Sequence, residues 1–108
     1  MIYEVVESII ANGDTDSDLV DLGNRAVVGL IVPTIDSGTL TFKVAAYPTD
    51  TPILVKDKTL TTLTVSASTG ALALDGDSIV GLSGYRWIQI IAGAAQTAAR
   101  TFKWVVKG

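Results

Sequence analysis

The feature that most constrains this chain is the run from residue 19 to residue 47, where hydrophobicity alternates with a period of two and is cut by turn formers. Leu40, Phe42, Val44 and Ala46 alternate with Thr41, Lys43, Ala45 and Tyr47. Successive side chains of a strand point to opposite faces, so this spacing describes a strand with one face in a core. The arm before it, residues 26–33, is apolar almost throughout, the pattern of a strand covered on both faces. Pro33 ends that arm, because proline has no N–H to give to a ladder. Asp36-Ser37-Gly38 lies between the arms as a turn signal. With residues 19–23, the stretch reads as two strands folded back on each other, to which the other segments add.

Those other segments are also short and strand-like. Residues 3–11 carry Val5, Val6, Ile9 and Ile10 and read as a first strand, with one short amphipathic helix as the alternative. Residues 12–18 and 48–52 are loops of turn formers. Residues 53–56, 60–66 and 71–74 read as three further strands, the second favoured by its threonines, whose branching at Cβ suits a pleated surface. Residues 79–82 fit one turn of helix capped by Ser78, and residues 93–99, rich in alanine, fit a brief helix. Residues 85–92 form a strand. So do residues 100–107, with Phe102, Trp104 and Val106 on one face and Lys103, Val105 and Lys107 on the other. Many short strands separated by Gly, Asp and Ser turns give an all-β class: a single-domain antiparallel β-sandwich or barrel over residues 1–108.

Composition bears on function mainly by exclusion. The chain has 108 residues, 18% charged and 48% apolar, below the charged fraction of about 25% usual for a soluble domain. A domain of this size has little interior for the excess, so part of it is expected on surfaces that meet other proteins. Net charge is −3 with scattered Lys and Arg, which argues against nucleic-acid binding. No secretory signal opens the sequence and no stretch is long enough to span a bilayer. A protein made and kept soluble in a cytoplasm, with no membrane partner, is the expectation.

Cysteine and histidine are both absent, which removes disulfides, the usual soft metal ligands, the usual general base and the best nucleophile. No enzyme activity and no cofactor are expected. Asp75 with Asp77 is formally a carboxylate pair, but the Asp-Gly-Asp spacing is explained by turn chemistry, and Gly81-Leu82-Ser83-Gly84 lacks the lysine of a phosphate loop. Asp14, Asp16 and Asp18 alternate in a loop, as ligands of a calcium ion can. Leu19 and Arg25 stand where an EF-hand needs glycine and glutamate, and a solvated acidic turn is the simpler reading. Trp87, Trp104, Tyr47 and Tyr85 could form a sugar-stacking platform; otherwise Trp104 is core and the other three pack at sheet margins or an interface.

Several pieces, taken in order, resemble a group of small proteins encoded among the virion structural genes of tailed bacteriophages. They are Val20-Asp21-Leu22-Gly23, Val28-Gly29-Leu30-Ile31-Val32-Pro33, Leu40-Thr41-Phe42-Lys43-Val44 and Val55-Lys56-Asp57. Ala73-Leu74-Asp75, Arg86-Trp87-Ile88-Gln89-Ile90 and the closing residues 96–106 follow. The chain departs from the group's pattern after residue 45, where a glycine is missing, and after Ile90, where Ile91-Ala92-Gly93 replaces Ser-Gly. The resemblance implies a jelly-roll-like sandwich on a capsid surface, a decoration or cement protein that is a homo-oligomer and contacts the major capsid protein or other virion proteins. A neck, tail or head-fibre component is the near alternative, and a carbohydrate-binding module for host attachment the distant one. Ile2, Tyr3, Val5, Val6, Tyr47 and Trp87 are the candidate interface residues, and residues 1–12 a candidate docking segment.

Overall fold

The structure, a computed structural model, describes residues 3–23, 25–36, 38–56, 60–66, 70–73 and 85–108. Among them are nine strands: β1 (Tyr3–Ile10), β2 (Val20–Asp21), β3 (Ala26–Val32), β4 (Thr39–Ala45), β5 (Ile53–Leu54), β6 (Val65–Ser66), β7 (Gly70–Ala73), β8 (Trp87–Ala92) and β9 (Arg100–Lys107). One sheet runs β1-β9-β3-β7 and the other β2-β8-β4-β5, with β6 also on β4. All pairings are antiparallel. The chain is therefore an all-β, two-sheet antiparallel sandwich, and no helix occurs among the described residues.

Alternation builds its core. Phe102, Trp104 and Val106 of β9, Leu40, Phe42 and Val44 of β4, and Ile88, Ile90 and Ala92 of β8 are all buried. The rings of Phe42 and Trp104, one from each sheet, lie 5.7 Å apart and tilted by 55°. Such a pair adds about 0.5–1.5 kcal/mol beyond the area it removes from water. The indole N–H of Trp104 donates to Ser8 Oγ at 3.0 Å within the core, so the one polar atom of the largest core side chain is satisfied. No buried side-chain nitrogen or oxygen among the described residues lacks a partner.

Several expectations require correction. β3 and β4 do not fold back on each other: β3 pairs with β9 and β7, while β4 pairs with β8, β5 and β6 in the opposite sheet. The connection between them crosses the roughly 10 Å that separates packed sheets. It is held where the amide of Asp36 donates to Gln96 Oε1 at 3.0 Å. Nor is β3 covered on both faces, since Ile31 is 41% exposed. Its unbroken apolar run reflects a bulge: register shifts between Val27 and Gly29, so Val27, Leu30 and Val32 all face the core. Ala46 is exposed because β4 ends one residue earlier.

Residues 93–99 form bends rather than a helix, drawn into the inter-loop contacts of Gln96. Of residues 60–66 only Val65–Ser66 is strand, and Leu60 sits at φ 65°, outside the extended region. Asp75, Asp77 and the helical turn expected at residues 79–82 lie outside the described residues.

Candidate interaction surface

The acidic segment is part of the scaffold. Ser17 lies opposite Ile10 of β1, and Asp16 lies opposite Ile91 of β8. The amide of Ser17 donates to the Ile90 carbonyl at 2.8 Å, and that of Ala92 to the Thr15 carbonyl at 2.8 Å. The buried Ser17 hydroxyl accepts from the Ile90 amide at 2.9 Å. Asp18 Oδ1 accepts from the Ile9 amide at 2.9 Å, and Asp16 Oδ1 from the Thr15 hydroxyl at 2.8 Å. These residues run as a strand extension wedged between β1 and β8, not as a loop free to wrap a cation. Among the described residues no three acidic side chains converge as metal ligands would.

The second sheet ends in an apolar groove of about 840 Å³. Val44, Ala46, Ile53, Leu54, Val55 and Tyr85 line it, with Asp50, Lys56 and Arg86 as its charged points. Ile53 is 71% and Tyr85 43% exposed, and Tyr47, two residues past the end of β4, is 67% exposed. Below the rim, Arg86 clasps Asp21 bidentately, Nε to Oδ1 at 2.8 Å and Nη2 to Oδ2 at 2.9 Å. The guanidinium lies 5.7 Å from the centre of the Trp87 ring, within cation–π range. Its hydrogen bond holds the Asp21 carboxyl below the usual carboxylate range, against a smaller upward push from desolvation, and the Gly23 amide adds to the lowering. Asp21 in return pushes the Arg86 guanidinium further toward its charged form. The ion pair ties β2 to the start of β8 and fixes Arg86 and Trp87 beside the groove.

On the first sheet's outer face, Val5 is 54%, Ile9 46% and Ile31 41% exposed. Val6 turns inward, half-buried against the core, so of the neighbouring pair Val5 is the one open to a neighbour. Trp104 is fully buried and cannot join a sugar platform. Trp87 is half-buried on the second sheet's outer face. Ile2 and the side chain of Tyr3 lie outside the described residues. Ile53 and Ile9 were not legible as surface residues from composition alone. For Ile9 the period-two phase of β1 would have found it, since Val5, Glu7 and Ile9 oppose the inward Val6, Ser8 and Ile10. For the Arg86–Asp21 pair, separated by 65 residues, the sequence carries no signal.

An apolar trough with few charged points, flanked by exposed aromatic rings, can seat apolar side chains or planar groups. Compared with known protein families, characterised proteins and solved structures, the chain matches none.

Proposed function

We propose that this chain is a structural protein of a tailed-bacteriophage virion, a decoration or cement protein that docks on the capsid surface and contacts the major capsid protein. The observation that carries the reading is a set of exposed large side chains at one place: Ile53 and Tyr85 in the lining of the groove, and Tyr47 one residue beyond its Ala46. On a sandwich whose sequence has no cysteine or histidine, that exposure suits contact between proteins more than reaction chemistry. The sequence resemblance supplies the virion. The strand orders 1-9-3-7 and 2-8-4-5 support a jelly-roll wrapping, in which the chain crosses between the two sheets at every connection except those from β4 through β6. Many copies on a symmetric lattice would retain the protein even if each contact is weak.

Quantitative mass spectrometry and a cryo-electron map of the parent particle test this. The expected result is a copy number matching the capsid lattice and density at the Tyr47–Ile53–Tyr85 margin against capsid protein. Absence from the particle overturns the reading, and a small copy number at one vertex moves the chain to the neck or tail. The exposed rings of Tyr47 and Tyr85 give the carbohydrate-binding reading its one supporting observation. Glycan binding that is lost in Tyr47→Ala or Trp87→Ala would favour it.

A further inference from the structure

The open edge of the first sheet is half sealed, and the unsealed half is complementary to itself. The amide of Ile9 donates to Asp18 Oδ1 at 2.9 Å, and its carbonyl accepts from the Asp18 amide at 3.3 Å. Ile9 therefore directs its backbone groups away from β9, and by strand alternation Tyr3, Val5 and Glu7 do the same. Asp18 closes the edge at Ile9, and the Ser17–Ile10 bridge closes it beyond. No described residue supplies partners to the edge-facing backbone groups of Tyr3, Val5 and Glu7. Unpaired strand edges template further pairing, and proteins ordinarily cover or charge them.

We propose that this edge pairs with the same edge of a second copy, antiparallel, about a two-fold axis at Val5. Edge-facing residues must oppose edge-facing residues, which leaves few registers. Centring on Glu4 sets Glu4 against its own copy, and centring on Glu7 does the same for Glu7 while also requiring the closed Ile9. Centring on Val6 sets Tyr3 against that closed Ile9. Centring on Val5 pairs Tyr3 with Glu7 and Glu4 with Val6, opposes no like charges, and uses only the open residues. It also sets the two Val5 side chains, each 54% exposed on the outer face, against each other as a cross-strand apolar pair. The two four-stranded sheets then become one continuous sheet. This inference does not depend on the virion reading, since it concerns the free protein.

Sedimentation of the wild-type chain over a wide concentration range tests it first. A dimer that grows with concentration is expected, and a monomer at every concentration, as when the edge instead receives a foreign strand, overturns it. The absence of native cysteine makes the register testable by an ethylene-bridged bismaleimide. Two Val5→Cys chains would bring their Cα atoms to about 5.5 Å, whereas Ile31, two strands inward, would lie more than about 24 Å from its copy at the usual strand spacing. Val5→Cys should crosslink roughly ten times or more faster than Ile31→Cys, and equal rates overturn the register. Val5→Lys should be monomeric, and mixing it with Val5→Glu should restore dimers containing one of each. Failure of that restoration, with both variants folded by circular dichroism, also overturns the register.

Discussion

At the scale of the residue, three side chains carry more than their size suggests. Ser8 is fully buried, and its hydroxyl accepts the Trp104 N–H. Ser8→Ala leaves that donor unsatisfied in the core, at about 1–3 kcal/mol, measurable as a loss of unfolding free energy in urea. A change below about 0.5 kcal/mol would mean that the indole finds another acceptor. Phe42→Ala removes the ring that meets Trp104 across the sandwich and should cost about 3–5 kcal/mol. The third is Asp36, whose Oδ2 accepts from the Thr97 amide at 2.6 Å and the Thr97 hydroxyl at 2.9 Å. Those bonds, with Arg100 adding to them, hold its carboxyl below the ordinary value of 3.8, as Arg86 holds Asp21. For an acid lowered in the folded state, the stabilisation is complete above the ordinary pKa and lost as pH falls through the lower, folded one. Urea midpoints measured from about pH 5 down to pH 2 should fall less steeply in Asp36→Asn and Asp21→Asn than in the wild type. Parallel acid limbs would show that neither carboxylate contributes.

At the scale of the element, Gln96 replaces a stretch of regular structure. It is 2% exposed and joins three connections that cross between the sheets. Its amide donates to the Asp14 carbonyl at 3.0 Å, and its carbonyl accepts from the Gly13 amide at 2.7 Å. Its side chain accepts from the Asp36 amide at 3.0 Å and donates to the Ala94 carbonyl at 2.9 Å. Gln96→Ala keeps the backbone bonds and removes the side-chain ones, leaving the Asp36 amide without its acceptor. Stability should fall by about 1–3 kcal/mol, with hydrogen exchange accelerating at residues 34–36 and 94–97 before it does in β4 or β9. Uniform acceleration through both sheets would mean that Gln96 acts on the whole fold rather than on its loops.

At the scale of the whole molecule, the two apolar surfaces are separable. The groove margin belongs to the second sheet and the Val5 edge to the first. If the groove margin serves a capsid and the Val5 edge a copy of the chain, Tyr47→Ser combined with Ile53→Ser should lower occupancy on particles and leave sedimentation unchanged. Val5→Lys should do the reverse in free solution. The exposed positions of all three side chains predict changes in melting temperature of only a few degrees, since surface substitutions usually stay within about 0.5 kcal/mol. A large loss of stability in either variant would place those residues in the support of the core.

The sequence determined which residues face inward and where most of the strands lie. Phe102, Trp104 and Val106, or Leu40, Phe42 and Val44, alternate so regularly that only a strand can bury them together, and β1, β8 and β9 were legible on the same ground. It did not determine which strand lies beside which. A period of two assigns a side chain to a face but says nothing of the neighbour across the ladder. The placement of β3 and β4 in opposite sheets, the bulge at Val28 and the bends around Gln96 were settled by loop length and by pairing between residues 60 or more positions apart. The surface was the least legible part. Whether an apolar residue such as Ile53 or Val5 is covered depends on what the assembled sheets bring over it, and that neighbour exists only once the chain has folded.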